Sequence, residues 1–486
     1  MPKSLARLVA HDAAVPVAAG DLLVAGLTSD SRAVKPGFVF AALPGTKVDG
    51  SAFIPQALAA GAVAVIASPG SYAGPGTIIP TDNPRRLLAL MAARFHDRQP
   101  DTIVAVTGTN GKTSVSVFVR QIWEAMGFRA ASLGTIGVVG PAGAEYLAHT
   151  TPDPVQLQAL AAKLAEDHVS HLAIEASSHG LSQYRLDGLR LTAAAFTNLT
   201  RDHLDYHATF DDYFEAKMRL FTELLPAGAP AVINMDSPHG EEVRIRAEAH
   251  GLATFTVGHK GHDIRLVSSR REGLEQHLSL ETATGLHAVT LPLVGDFQAS
   301  NALVAAGLVI AAGGETEIAL RSLSLLKGAT GRLDLVGKNN AGASVFVDYA
   351  HTPDALENAL ASLRPYAERK LIVVFGCGGD RDKGKRPLMG AVAVKFADTA
   401  ILTDDNPRTE DPATIRREVM AAAKGAIEIG DRAKAIREAV AKAGAGDIVL
   451  VAGKGHEEGQ IIGKEVRPFS DHAAVRAAMR NEDYHG

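Results

Sequence analysis

Cys377 is the only cysteine in 486 residues. That excludes an intrachain disulfide framework and makes a cysteine-ligated zinc site a poor expectation. No run approaches the ~18 continuous apolar residues of a membrane-spanning helix. The opening stretch "MPKSLARLVAHDAAVPV" has neither a long apolar core nor a cleavage-site pattern. The expectation is a soluble, cytoplasmic protein with no membrane insertion. Aromatic residues make up only 5%, and the formal net charge is −5. That balance gives no reason to expect nucleic acid or an anionic membrane as a partner. Local basic clusters can still serve a small anionic substrate.

Apolar residues and glycine are plentiful, at 46% hydrophobic with 47 glycines. The chain is too long for a single core, so roughly two to four domains are expected. Residues 1–98 alternate short apolar segments ("GFVFAAL", "AVAVIAS") with Gly/Pro turns and a helix in "FIPQALAAG". This reads as a small α/β domain, closed by a helix from Arg85 to about Asp97 and by "RQPD" as a linker. From residue 99 to 330 strand-like runs alternate with helical ones: "TIVAV", "HLAIEASS", "AAAFTNLT", "PAVINMD", then the helix "QASNALVAAGLVIAAGG". Such alternation implies a parallel sheet covered on both faces. Residues 331–486 repeat the pattern with "SVFVDYA", "KLIVVFGCGG", "TAILTDDNP" and "DIVLVAGKG". The expected fold class is α/β in three domains, with a central phosphate-loop ATPase-type parallel or mixed sheet. The last domain is read as Rossmann-like and doubly wound, with its functional loops at strand ends.

"TGTNGKT", Thr107 to Thr113, sits between a buried strand and a helix. Glycines allow backbone N–H groups to approach an anion, and the helix N-terminus adds positive potential. Lys112 is the candidate for β/γ-phosphate pairing and Thr113 for Mg²⁺. Val106 occupies the first glycine position of the standard motif, which leaves the shorter G-x-x-G-K-T. A nucleotide is implied, but not a reaction. No N-K-x-D base-reading element is present, which argues against a GTPase and leaves a simple ATPase open.

Other stretches carry metal-compatible or basic groups. Glu175 ends the strand "HLAIE", well placed for Mg²⁺. "NLTRDHLDYH" packs Asn198, Asp202, His203, Asp205 and His207 together, and metal, base and structural roles all fit. Lys217 is the lone lysine of an amphipathic helix, "FDDYFEAKMRLF", and by spacing alone is an exposed helix lysine. "FVDYAHTPDAL" puts Asp348, Tyr349 and His351 at a strand end, and "VAGKGHEEGQ" does the same for Lys454, His456 and Glu457. "GCGGDRDKGKRPLM" mixes Asp380 and Asp382 with Arg381, Lys383, Lys385, Arg386 and, further on, Lys395. Such a loop suits carboxylate or phosphate recognition.

Taken together and in this order, "TGTNGKT", "EASSHGL", "NLTRDHLDYH", "DYAHTPD", "GCGGDRDKGKRPLM", "DNPRTEDP" and "AGKGHE" resemble the Mur ligases of peptidoglycan synthesis. The resemblance implies a cytoplasmic, ATP-dependent, Mg²⁺-requiring ligase of cell-wall biogenesis, expected to be a monomer. It points to the members that add meso-2,6-diaminopimelate to UDP-N-acetylmuramoyl-L-alanyl-D-glutamate through an acyl phosphate. It also implies roles by position. Gly108, Thr109, Asn110, Gly111, Lys112, Thr113 and Ser114 would cradle ATP. Asn301 would contact adenine, Arg332 would lie near the γ-phosphate, and Asp348 would contact the ribose. Thr113, Glu175 and His203 resemble metal-site residues. Lys217 aligns with a lysine carbamylated by CO₂, and Lys112, Lys217, His203 and Arg332 form the implied catalytic set. Ser31, His149, Thr150, Thr151, Ser177, Gln183 and Arg185 would hold the UDP substrate, although Thr46-Lys47-Val48 and His149 depart from the common pattern.

"DNPR" occurs twice, at Asp82–Arg85 and at Asp405–Arg408. The first runs into "RRLLALMAARF" and reads as a helix start. The second lies among the charged loops of the last domain. There the resemblance implies that Asp405, Asn406, Pro407, Arg408, Arg381, Gly453 and Glu457 bind diaminopimelate. Arg408 supplies a planar fork for the far carboxylate, which lysine lacks. A lysine-adding ligase is the alternative within the class, and a phosphate-loop ATPase acting as a regulatory module is the alternative outside it.

Overall fold

The computed structural model describes residues 2–45, 49–147, 149–200, 202 and 206–484. The chain forms two compact units. One comprises Met1–Val267, Leu280–His287 and Asn301–Ser322, and the other Ser268–Ser279, Ala288–Ser300 and Leu323–Gly486.

In the first unit, Gly26–Thr28, Phe38–Ala41, Ala64–Ala67 and Ile78–Pro80 make a small parallel sheet in chain order. The helix Pro84–His96 lays Leu87, Leu88, Met91 and Ala92 into its core. This helix begins at the first DNPR. Asn83 caps it, its Oδ1 accepting from Arg86 N at 3.0 Å, and Pro84 takes the first helical position. Asn83→Ala is therefore expected to cost about 1 kcal/mol of stability, measured by urea unfolding, and to leave turnover unchanged. The "RQPD" stretch is tied down. Gln99, buried, donates to Gln158 Oε1 (2.8 Å) and Gly188 O (2.9 Å) and accepts from Arg190 N.

The larger sheet of this unit runs in the order Gly143–Glu145, Gly137–Gly140, Ala130–Gly134, His171–Glu175, Thr102–Thr107, Ala193–Phe196, Pro230–Asn234, Ala253–Gly258. From Ala130–Gly134 to Ala253–Gly258 all neighbours are parallel, and the strands are near-continuous apolar runs, as burial on both faces requires. Three further strands, Ile264–Glu272, Glu275–Thr282 and Gly285–Leu291, form in a region in which the sequence suggested no elements. Thr102–Thr107 lies between His171–Glu175 and Ala193–Phe196, so three loops meet at one edge of the sheet: Gly108–Gly111, Ala176–Ser177 and Thr197–Thr200.

The second unit carries a six-stranded sheet in the order Asp334–Lys338, Ser344–Asp348, Ile448–Ala452, Leu371–Phe375, Thr399–Leu402, Ile427–Glu428. Only its first pair is antiparallel. Leu356, Leu360, Met389 and Ile415 cover one face, and Ile436, Val440 and Val475 the other, giving the doubly wound arrangement expected from the sequence. Among the described residues no helix is long and apolar enough to cross a membrane.

Candidate functional site

In the first unit the shape of the phosphate loop is set by its glycines and by the loops beside it. Gly108 (φ 149) and Gly111 (φ 87) take backbone conformations that favour glycine. A Cβ on Gly108 would fall 1.9 Å from Thr197 Oγ1, and one on Gly111 would fall 2.3 Å from Asn301 Oδ1. The second of these contacts places Asn301 against the loop. Asn198 clamps the loop apex: its Oδ1 accepts from Asn110 N (3.0 Å) and its Nδ2 donates to Asn110 O (3.2 Å). Thr109 N donates to Asn198 O, and Thr109 Oγ1 accepts from Thr200 N and meets Tyr213 OH at 3.0 Å. "NLT" therefore supports the phosphate loop. Truncating Asn198 to Ala is expected to raise KM for ATP by about tenfold, the worth of one or two lost hydrogen bonds, as read in steady-state kinetics.

Lys112 Nζ donates to Gly108 O (2.9 Å) and Thr109 O (2.7 Å). Lys217 reverses the expectation from spacing: it is buried, with 1% of its surface exposed. Its Nζ donates to Gly108 O at 2.7 Å and lies 4.3 Å from the centre of the Tyr213 ring. Burial, with the Lys112 charge adding to it, lowers its pKa well below the ordinary lysine value, while Asp202 pulls the other way. The helix Phe210–Arg219 that carries it starts with a Thr209/Asp212 capping box and passes into a π-helical turn, Leu220–Leu224. Arg219, two positions on, is paired with buried Asp187 at 2.8 and 2.9 Å, which fixes that end of the helix.

Glu175 is also buried. Thr135 N and Thr135 Oγ1 donate to its two oxygens at 2.8 and 3.1 Å, and a Cβ on Gly134 would lie 2.0 Å from Oε1. The candidate UDP-substrate residues gather around it. Thr150 meets Thr135 (3.1 Å), and Thr151 donates to Glu175 O (2.9 Å) and meets Ser177 (3.0 Å). Arg185 donates to Thr151 O (2.5 Å) and Gln183 Oε1 (2.8 Å). Ser31 is on a short turn of the small sheet, and His149 is exposed. His203 and Thr46-Lys47-Val48 lie outside the described residues. Among the described residues no cluster of three or more His, Cys, Asp and Glu is arranged around a metal.

In the second unit the second DNPR follows the strand Thr399–Leu402, with Asp405 and Asn406 buried. It is zipped to the glycine loop before it. Gly379 N donates to Asn406 O (2.9 Å), and Arg408 Nη1 donates to Gly379 O (2.9 Å). A Cβ on Gly379 would strike Pro407 O at 1.9 Å, which explains the glycine there. Arg408 has φ 51, a conformation held by Arg408 N to Ile461 O (3.0 Å) and Gly463 N to Arg408 O (2.6 Å). Asp405 lies close under Gly453, where a Cβ would be 2.5 Å from its Oδ2, and Glu457 Oε2 accepts from Asn406 Nδ2 at 2.9 Å.

The basic cluster "RDKGKR" does not act as one group. Arg381 is exposed and donates to Asp380 O, whereas Arg386 is fully buried and paired with Glu410 (2.9 Å) and Glu418 (2.7 Å). Lys395 sits in the last turn of the helix Lys385–Phe396, over the Phe396 ring. Helical winding separates residues that look contiguous in the sequence. A second pair, Arg432 with Asp471 (2.7 and 2.6 Å), is fully buried behind Ala452 and had no sequence signal, because its members are 39 positions apart.

Asp348 accepts from Leu333 N (2.6 Å) and Ala350 N (2.8 Å), and burial raises its pKa against the pull of Arg332. Arg332 lies over the Tyr349 ring at 5.0 Å, and its buried Nε has no acceptor among the described residues. The neighbouring His456 is pushed down to about 4 by burial, with Arg332 adding to it.

Three family models match: the Mur ligase family catalytic domain over residues 23–96, the Mur ligase middle domain over 106–309, and the Mur ligase glutamate ligase domain over 331–455. A UDP-N-acetylmuramoyl-L-alanyl-D-glutamate–2,6-diaminopimelate ligase of Mesorhizobium japonicum is 57% identical over 95% of this chain and 96% of its own. The protein of that name from Brucella melitensis is 55% identical over 96% of each. A solved structure with that name superposes with a TM-score of 0.74 at 34% identity, covering 99% of both chains. A Mycobacterium tuberculosis folylpolyglutamate synthase complexed with ADP and AMPPCP shares the fold at 18% identity and a TM-score of 0.60, over 76% of this chain and 92% of its own. The chain belongs to the Mur ligase family.

Proposed function

We propose that this chain joins meso-2,6-diaminopimelate to UDP-N-acetylmuramoyl-L-alanyl-D-glutamate at the expense of ATP, releasing ADP and phosphate. The observation that carries the reading is the 57% identity, across nearly the whole chain, with a relative named for that reaction. Lys217 and Arg408 support it locally.

A carboxylate is a poor electrophile at neutral pH. Transfer of the γ-phosphoryl group to the D-glutamate γ-carboxylate gives an acyl phosphate. The diaminopimelate amine then adds to its carbonyl carbon, a proton leaves the nitrogen, and the C–O bond to phosphate breaks. Positioning and charge stabilisation supply most of the catalysis.

The backbone of Gly108–Thr113, with Ser114, cradles the phosphates. Lys112 exchanges its two loop carbonyls for phosphate oxygens. Asn301 serves the adenine, Asp348 the ribose and Arg332 the γ-phosphate, its Nε having no acceptor among the described residues. Thr150, Thr151, Ser177, Gln183 and Arg185, with Ser31 and His149, hold the UDP substrate.

Mg²⁺ takes few protein ligands and leans on substrate phosphates, so the pair of Thr113 and Glu175, rather than an all-protein cage, fits it. Mg²⁺, when bound, neutralises the phosphate charge. Lys217 and His203 complete the proposed metal set, with Lys217 as its carbamate. The neutral amine adds to CO₂, a C–N bond forms and a proton is lost, converting a buried base into an anionic ligand. Asp405, Asn406, Pro407, Arg408, Arg381, Gly453 and Glu457 receive diaminopimelate. We assign residues 1–98 to the UDP end, 99–330 to ATP and 331–486 to the amino acid, in a monomeric, cytoplasmic enzyme.

The test supplies ATP, Mg²⁺ and the UDP-dipeptide with diaminopimelate or lysine, and reads phosphate release and product mass. Diaminopimelate-dependent amide is expected. Amide with lysine alone, or ATP hydrolysis independent of the UDP substrate, overturns the reading.

A further inference from the structure

Lys454 has no exposed side-chain surface. A buried ammonium is costly unless it is paired and hydrogen-bonded, so the groups around it indicate its role. Its Nζ donates to Asn406 Oδ1 and to Gly459 O, both at 2.7 Å, and lies 3.4 Å from Glu457 Oε2 and 3.9 Å from Asp405 Oδ1. Burial lowers its pKa, and Asp405 and Glu457 oppose that pull.

These partners come from three segments, Asp405 and Asn406 sharing one. Asn406 is in the second DNPR, Gly459 begins the hairpin Gly459–Ile462/Glu465–Pro468, and Glu457 is in the turn before it. Asn406 repeats the connection: Oδ1 also accepts from Ile461 N (2.9 Å) and Nδ2 donates to Glu457 (2.9 Å). Gln460 Nε2 adds a bond to Asp405 O (2.7 Å). The same hairpin strand holds the Arg408 backbone at φ 51. A free Asp405–Arg408 loop would not keep a non-glycine residue there, because that conformation costs about 1 kcal/mol or more without outside support.

We propose that Lys454 is a positioning residue for amino-acid selection: it locks the Asp405–Arg408 loop to the hairpin, and so sets where Asp405, Glu457 and Arg408 meet the incoming amino acid. This rests on the diaminopimelate reading of that loop. Lys454 does not itself touch substrate, since its ammonium is enclosed and committed to protein acceptors. The hairpin, which none of the motifs includes, becomes part of the specificity device. Apart from the Gln460 amide, its strand contributes backbone alone, through Gly459 O, Ile461 N and Ile461 O, so its sequence carries little trace of the role.

The experiment uses the full-length Lys454→Met and Gln460→Ala variants. It measures KM for diaminopimelate, KM for ATP, the ratio of kcat/KM for diaminopimelate over lysine, and the thermal midpoint. For Lys454→Met, KM for diaminopimelate is expected to rise on the order of tenfold or more, the usual effect of losing hydrogen bonds to a charged group. The selectivity ratio should fall with it while KM for ATP holds. Gln460→Ala should move the same two quantities less, at an unchanged midpoint. A folded Lys454→Met with wild-type diaminopimelate KM and selectivity overturns the inference, as does a change in the thermal midpoint alone. If Lys454→Met does not fold, Gln460→Ala decides, and unaltered selectivity there overturns it. A wild-type enzyme that fails to use diaminopimelate sinks the functional reading instead.

Discussion

Lys217→Met is expected to abolish amide formation, with kcat falling at least about 10³-fold, the scale on which preorganised charge at a reacting centre contributes. The protein should stay folded. Met fills nearly the same channel, and Gly108 O, which loses the Lys217 donor, keeps the one from Lys112 at 2.9 Å. Removing a buried amine also removes its desolvation cost.

The expectation rests on a lysine whose pKa burial depresses. Folding depresses the Lys217 pKa well below its unfolded value. Between the folded pKa and the unfolded ~10.4 the native amine is uncharged while the unfolded chain still binds the proton. Stability from this group is therefore full above the unfolded pKa and is lost as pH falls through the folded one. The uncharged fraction of the native amine rises at the lower end of that window, around the folded pKa. Carbamate occupancy, read as one added CO₂ in intact-protein mass spectra, should rise with pH until the folded pKa is passed. Activity should fall when CO₂ and bicarbonate are stripped. Lys217→Arg, which keeps a cation but yields no carbamate, should be as inactive as Lys217→Met. Substantial activity in Lys217→Arg would show that a cation, not an anion, is needed there.

Arg408→Ala should lower kcat/KM for diaminopimelate by on the order of 10²-fold, the cost of losing a two-pronged charge-assisted pair. KM for ATP should hardly change. Arg408→Ala also removes the Nη1 bond to Gly379 O, but the loop should survive: its ties to Ile461 O and Gly463 N and the Gly379 N bond to Asn406 O are backbone bonds, and Ala is strained at φ 51 about as Arg is. The loss is thus in recognition rather than in folding. Lysine has no far carboxylate to miss the guanidinium, so its turnover should not fall in parallel, and discrimination should narrow. Competition assays with both amino acids measure this. Unchanged diaminopimelate kinetics would remove Arg408 from the amino-acid site.

The two DNPR stretches show how far the one-dimensional reading reaches. Context separates them: Pro84 before "RRLLALMAARF" reads as a helix start, and Asn83 does cap that helix. The strand–helix alternation exposed the parallel sheets, because strands buried on both faces must be apolar throughout. The phosphate loop was legible because its glycines are demanded by local backbone geometry.

Lys217 was not legible in that way. Helical spacing made it a surface residue, and only the packing of its helix against the phosphate loop buries it on Gly108 O. Nor did the charged run from Arg381 to Lys395 reveal that Arg386 is an internal ion pair. The Arg432–Asp471 pair and the Lys454–Asn406 bond join residues 39 and 48 positions apart, a distance at which sequence spacing carries no signal.

By itself the sequence determined the α/β class, the nucleotide loop and, through ordered motifs, the family. Those features rest on local rules of periodicity, glycine conformation and strand-end placement. Which lysine has its pKa depressed by burial, which arginine is structural and what holds Arg408 in its conformation were decided only by tertiary structure. They depend on burial and on hydrogen bonds between distant segments, which exist once the chain has folded.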